Sequence, residues 1–309
     1  MSYFRHKRNL VLPVAFIGGA VLYRWMGYLT FLSPYLLFVM LFITYCKLSL
    51  HDIKPTKFDI RLLLIQLILS GVVYGILLFL NHRVALGAFI CVFVPTATAA
   101  PVITSMLGGN ISRVVTYSLT CNIAIAVIGP VVLAAIGDNA GMTFGHSFLL
   151  ILSQVFPLLL GPMVCAFALR KVWPSIHSKV ANHQQLSFYI WAVSLFIIVG
   201  SCVSFAINSW TPANTSLMIF LALAALATCL LQFFIGRKVG KRIGDPVAGT
   251  QSLMQKNTVL AVWLAMAYMN PITSIAPAAY IAWQNIVNSW QLVRHDSMMD
   301  ARNMNGSHV

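Results

Sequence analysis

The chain has 309 residues, of which 59% are hydrophobic and only 8% charged. That balance excludes a soluble globular domain and predicts an integral membrane protein. The net charge of +14 does not indicate nucleic-acid binding, because nearly all the basic residues fall in the short segments between apolar runs.

Ten apolar runs are each long enough, at about 20 residues, to cross ~30 Å of hydrocarbon. They centre on Ile17, Leu37, Ile68, Ala97, Ala124, Leu158, Phe196, Leu223, Asn257 and Trp283. The first run, within "MSYFRHKRNLVLPVAFIGGAVL", has the basic start and apolar core of a signal peptide. Tyr23, Arg24 and Trp25 follow it with no small-x-small cleavage site, so it is read as the first helix. With the N-terminus inside, all of the 20 Lys and Arg except Arg24, Arg83 and Lys256 fall in cytoplasmic loops or tails. The charge pattern therefore places both termini in the cytoplasm of a multi-pass inner-membrane protein, with the loop from Gly137 to Ser147 outside. The connecting segments are too short to build a soluble domain, so any function must reside in the bundle. The six cysteines lie in or at the ends of spans without CxxC spacing and are expected to be small buried apolar residues.

Ten spans divide into five and five, and an odd number per half inserts two equivalent halves in opposite orientations. The expected fold is all-α, with an inverted repeat of about residues 1–138 and 139–309. In such folds the binding site lies where helices are broken, at corresponding positions of the halves. The fourth span carries "FVPTATAAPVITSMLGGN", in which Pro95 and Pro101 bracket Thr96 and Thr98. Each proline removes a backbone donor and clashes with the preceding turn, so the helix should be interrupted there. The ninth span, fourth of the second half, carries Thr250, Gln251, Ser252, Gln255, Lys256, Asn257 and Thr258. On a regular helix these would point in every direction, including into lipid, so they must be enclosed by protein or belong to unwound backbone. A charged lysine at that depth costs at least ~2.5–3.5 kcal/mol and marks a functional position.

The run from "FVPTATAAPVITSMLGGN" through "GRKVGKRIGDPVAGTQSLMQKNTVLAVWLAMAYMNP" to "AAYIAWQNIVNSW" resembles the bile acid:sodium symporter family. The resemblance implies a panel domain (spans 1, 2, 6 and 7) and a core domain (spans 3–5 and 8–10). In the core, helices four and nine would cross at their unwound centres. It also implies transport of organic anions, from sterol conjugates to small carboxylates, inward with sodium. The family's sodium ligands are oxygens of the two crossing helices and the carboxylate of a ninth-helix motif, an acid followed by x-Gly-x-Gln-Asn. A Trp-x-Asn follows in the tenth.

In this chain the motif's acid falls on Gln251, its glycine on Leu253, its glutamine on Gln255 and its asparagine on Lys256. In the fourth helix the family reads Pro-Gly-Gly-Thr-x-Ser-Asn, and the ion-holding Ser and Asn are Ala100 and Pro101. Gln66 matches a further polar ligand in the third helix, and the fifth-helix ligands come from Thr116, Ser118, Thr120 or Asn122. The chain has no glutamate, and its six aspartates, Asp52, Asp59, Asp138, Asp245, Asp296 and Asp300, lie in loops, tails or span ends. An ammonium ~4 Å from a sodium ion repels it by about 4 kcal/mol at an effective dielectric of ~20. Ordinary sodium coupling is therefore expected to be lost.

The expected function is secondary transport of an organic anion, sodium-independent, with Lys256 tethered in place of the bound cation and hydrogen-bonded to carbonyls around Thr96 to Ala100 and to Gln251 or Gln255. Alternatives are a sodium- or proton-coupled symporter of the same family, in which Lys256 releases a proton, and a membrane sensor on a transporter fold. A membrane enzyme such as a lipid-linked transferase is disfavoured by the lack of interior Asp, Glu or His for metal or acid–base chemistry. No cofactor or metal is expected.

Overall fold

The computed structural model describes residues 14–47, 54–137, 143–208 and 210–306. Arg5, Lys7, Arg8, Asp52 and Asp138 lie outside the described residues, as do the side chains of Asp296, Asp300 and Arg302. Among the described residues the chain is helical and forms no strand. Residues 14–21 form α1, followed by α2 (Tyr23–Met26), a 3-10 segment (Gly27–Leu32) and α3 (Ser33–Cys46). Then come α4 (Lys57–Leu78), α5 (His82–Phe93), α6 (Ala100–Met106), α7 (Ile111–Ile136) and α8 (Phe144–Val172). The chain continues through α9 (Pro174–Asn182), α10 (Gln184–Asn208), α11 (Pro212–Lys241), α12 (Pro246–Met254) and α13 (Thr258–Tyr268). It ends with a 3-10 turn (Pro271–Ser274) and α14 (Ile275–Gly306).

Seven of these helices start at a residue whose side chain accepts from their first free amides: Thr56, Asn81, Asn110, Thr143, Thr211, Asp245 and Asn257. Such caps seal helix ends that would otherwise present orphan donors to an apolar medium. Two turns use a glycine with positive φ, Gly108 at +72° after α6 and Gly244 at +75° after α11, conformations that a Cβ would strain. Asp245 joins those two turns: one carboxylate oxygen caps α12 at Ala248 (2.8 Å), and the other accepts from the Asn110 amide (2.9 Å).

Among the described residues, six helical stretches are long and apolar enough to cross a membrane: Tyr23–Cys46, Lys57–Leu78, Ile111–Ile136, Phe144–Val172, Tyr189–Asn208 and Pro212–Lys241. The expected fourth and ninth spans are not continuous helices; their apolar pieces are His82–Phe93 and Thr258–Tyr268. The helices pack in two groups. One contains α4, α5, α7, α11, α12 and α14, with α6 and α13 joined to it; the other contains α2, α3, α8 and α10. The groups meet along α7 and α8, a contact as extensive as most of those inside either group, and where α13 touches α3 and α10 and α14 touches α10. There the Tyr268 hydroxyl donates to Gln154 Oε1 of α8 at 2.5 Å. Within the first group Gly236 of α11 and Gly249 of α12 lie backbone to backbone, since a Cβ on either would run into the other's carbonyl oxygen. One expectation fails: Cys165 is exposed on α8, whereas the other five cysteines are buried. An apolar environment around a helix does not demand burial of a thiol.

Candidate functional site

Both unusual segments break where the sequence places their anomalies, and the two breaks meet. Helix α5 stops at Phe93 and α6 begins at Ala100, with Pro95 in the gap and Pro101 in the first turn of α6, where its missing N–H is harmless. Helix α12 stops at Met254 and α13 begins at Thr258, capped by Asn257 Oδ1 accepting from the Leu260 amide at 3.2 Å. Across the gap Thr96 and Lys256 form an isolated antiparallel bridge. The Ala97 amide donates to the Gln255 carbonyl and the Asn257 amide to the Pro95 carbonyl, each at 2.9 Å. The Thr96 hydroxyl adds a bond to the Ser252 carbonyl at 2.7 Å. Unwound backbone is tolerated at such depth only when its polar groups are paired within the protein, and the two breaks pair each other.

Side chains from neighbouring helices take up the carbonyls that the broken ends release. On the α5 side, Gln66 Nε2 of α4 donates to the Phe93 and Val94 carbonyls at 2.8 and 3.2 Å. The Lys256 ammonium also donates to Val94 O at 3.2 Å. Gln66 is itself oriented by the Tyr117 hydroxyl of α7, which donates to Gln66 Oε1 at 2.7 Å. On the α12 side the Tyr280 hydroxyl of α14 donates to the Met254 carbonyl at 2.8 Å and accepts from Gln232 Nε2 of α11 at 2.9 Å. Each broken helix thus ends on a Gln–Tyr pair. The Gln and Tyr are 51 residues apart around the first and 48 around the second.

The expected acceptors of the lysine need correction. Lys256 finds Val94 O, just before the expected stretch from Thr96 to Ala100, whose Thr96, Ala97, Ala99 and Ala100 carbonyls accept from Ser118, Ala100, Val102 and Thr104. Gln251 and Gln255 do not hold the ammonium. Gln251 Nε2 instead reaches Asn288 Oδ1 of α14 at 3.5 Å, and the Lys256 amide itself donates to Gln284 Oε1 at 3.1 Å.

The expectation that the Thr250–Thr258 run is either enclosed or unwound resolves into both. Thr250, Gln251 and Ser252 are helical, Gln255 to Asn257 are unwound, and all of them, with Thr258, are buried. Thr98 is half-buried, its hydroxyl toward Met40 Sδ of α3 at 3.5 Å. In α7, Ser118 is the residue that reaches the crossing, donating to the Thr96 carbonyl at 3.4 Å. Asn122 and Thr120 return bonds to their own helix, at Ser118 O and Thr116 O.

Sequence reading did not single out Tyr117, Gln232, Tyr280, Gln284 or Asn288. Gln284 lies inside the Trp-x-Asn stretch, but the asparagine, Asn285, bonds back to Ile281 O, and the residue between reaches the crossing. A signal existed: buried carboxamides within apolar spans are expensive, and each demands a partner.

The electrostatics are one-sided. Lys256 is 1% exposed. The two carboxylates whose side chains are described, Asp59 and Asp245, are both spent as helix caps. The titratable groups facing the ammonium are the thiols of Cys91 on α5 and Cys121 on α7. Of its three donors only one has a protein acceptor, and the positive end of the α13 dipole lies beside it. In the broken α12–α13 segment and in α7, Asn122 Oδ1, Gln251 Oε1, Ser252 Oγ, Gln255 Nε2 and Asn257 Nδ2 are buried and lack a partner among the described residues. Among the described residues the crossing offers sodium no carboxylate. Comparison with known proteins found no family model and no curated protein that matches this chain.

Proposed function

We propose that this chain is a secondary transporter of an organic anion, built on ten spans in a five-plus-five inverted repeat and working by alternating access. The observation that carries the reading is the buried, carboxylate-free ammonium of Lys256 at the meeting point of two broken helices. Such a charge is tolerated at depth when it is functional or paired, and here the ligand supplies the pairing. In this reading the ten spans are the helices of residues 14–26, α3, α4, α5 with α6, α7, α8, α10, α11, α12 with α13, and α14, which divides the stretch Tyr23–Cys46 between the first two spans and counts α14 beyond the six long apolar stretches. The matching Gln66–Tyr117 and Gln232–Tyr280 pairs support the repeat, because each braces the broken helix of its own half. The two packing groups support the core and panel division.

In this reading Lys256 does the work of a bound cation. Its side chain and its backbone tie the crossing together through Val94 and Gln284, and its unmatched donors face the anion. The family resemblance supplies the substrate class, bile-acid-like or small carboxylates, and the inner membrane as location. The core would move against the panel, breaking contacts such as Tyr268 to Gln154. A second reading, proton coupling through Lys256, is favoured by the same two unmatched donors, since a neutral amine needs fewer acceptors.

Uptake of labelled organic anions into proteoliposomes tests the proposal. Uptake that saturates, persists in choline buffer and disappears in the Lys256→Met variant supports it. Absence of uptake across a panel of sterol conjugates and keto acids, with sodium present or absent, overturns it.

A further inference from the structure

Helix α14 carries a second pattern that the crossing does not use. Gln284, Asn288, Gln291 and His295 follow spacings of four, three and four residues, so they fall on one face of the helix. The first three are buried, Gln291 being the most exposed at 9%. Asn288 faces Gln251 of α12. His295 lies by the glycine turn after α6, where a Cβ on Gly108 would sit 3.7 Å from its ring. That turn and its neighbour after α11 carry Arg113, Lys241 and Arg242, so the row ends on the side with the basic loops.

The row is built from neutral carboxamides that satisfy one another only in part, through the 3.5 Å bond from Gln251 Nε2 to Asn288 Oδ1. Gln251 Oε1, Asn288 Nδ2 and Gln291 Nε2 are buried with no protein partner, an acceptor and two donors on adjoining positions. Buried polar groups in a folded protein are bonded to protein or to ordered water, and each left unpaired costs about 1–3 kcal/mol. In the opposite direction the same face changes character. It passes to Tyr280, whose hydroxyl is spent on Met254 O and Gln232, and then to Ala276, buried among apolar residues. Tyr280, its hydroxyl spent, and Ala276 thus separate the crossing from the buried Thr273 and Ser274, whereas toward the basic loops the face stays polar without a break.

We propose that this face of α14, with Gln251 opposite, is a one-sided water track that hydrates the crossing at Gln284 and the Lys256 backbone from the basic-loop side and is closed by Tyr280. Water donating to Gln251 Oε1 and accepting from Asn288 Nδ2 and Gln291 Nε2 satisfies all three carboxamides. The track rests on the reading of the chain as a membrane-spanning bundle and not on the identity of any substrate. It gives the anion site one wet side and one dry side. The charged and titratable groups nearest the track are His295 at its mouth, Asp245 and Arg113 beside the glycine turns, and Lys256, with Cys91 and Cys121, at its inner end.

The test is sided accessibility. Single cysteines at Asn288, Gln291 and Ala276 are introduced with the six native cysteines replaced by alanine, and a membrane-impermeant thiol reagent is applied from each side in turn. Asn288→Cys and Gln291→Cys should react from the basic-loop side about tenfold faster than Ala276→Cys, and not from the other side. Equal rates at the three positions, or reaction from the opposite side, overturn the track. In the unmodified chain, hydroxyl-radical footprinting should oxidise Tyr280 several-fold faster than Tyr117, although both are fully buried and each bonds a glutamine. Equal oxidation overturns it as well. Absence of anion uptake by the unmodified chain, with sided accessibility as expected, would refute the transport reading and leave the track standing.

Discussion

Replacing Lys256 with methionine keeps the length of the side chain and removes its charge. Two effects on the empty protein oppose each other. The variant loses one charge-assisted bond, Nζ to Val94 O, worth about 1.5–3 kcal/mol. It also sheds a buried charge whose cost at bilayer depth is at least ~2.5–3.5 kcal/mol. The Val94 carbonyl is not orphaned, because Gln66 Nε2 still donates to it at 3.2 Å. Stability without ligand should therefore stay within about 2 kcal/mol of the parent, on either side. Anion binding behaves differently, since nothing replaces the lost charge. An ammonium ~4 Å from a carboxylate at an effective dielectric of ~20 contributes about 4 kcal/mol, roughly three decades of affinity. Scintillation-proximity binding with a labelled anion, beside thermal unfolding in the same detergent, reads both numbers. Arginine should not rescue binding, because its planar fork does not mimic a compact cation. If the methionine variant binds and transports with parental affinity and unchanged pH dependence, Lys256 is a structural lysine and the mechanism is wrong.

Tyr280→Phe deprives the Met254 carbonyl of its donor and should destabilise the protein by about 1–3 kcal/mol, and Gln66→Leu, which strands the Phe93 carbonyl and the Tyr117 hydroxyl, should do at least as much in the same unfolding assay. Parental unfolding of both variants would show that the Gln–Tyr braces are incidental. Gly249→Ala drives a methyl group into the Gly236 carbonyl and should cost about 1–3 kcal/mol or separate α11 from α12; unchanged stability would contradict that backbone contact. Sodium should leave the melting temperature where potassium or choline does, because Gln251, Ala100 and Pro101 offer no carboxylate and no chelating pair; a shift that saturates with sodium alone would restore a sodium site. A reporter fused after Val309 should be active only in the cytoplasm, and activity confined to the outside would reverse the orientation drawn from the basic loops.

Composition and hydropathy along the chain determined that the protein is helical and membrane-embedded, because no water is present in a bilayer to satisfy exposed backbone. Local sequence also placed the two breaks. Pro95 has no amide to continue α5, and the run from Thr250 to Thr258 is too polar to face lipid. Lys256 was legible as the anomaly for the same reason. Only the tertiary structure decided who answers each exposed group. Val94 O became the lysine's acceptor because the next two carbonyls are taken, Pro95 O by the Asn257 amide and Thr96 O by Ser118. Ser118 reaches Thr96 O whereas Asn122 turns back on its own helix, a choice of one helical turn that spacing alone does not make. Gln232 and Tyr280 stand in spans that read as ordinary apolar helices, and only the packing of α11, α12 and α14 brings them to the end of α12. Periodicity reports which residues must leave water or lipid. Partnership between groups more than a hundred residues apart is settled by how the helices cross.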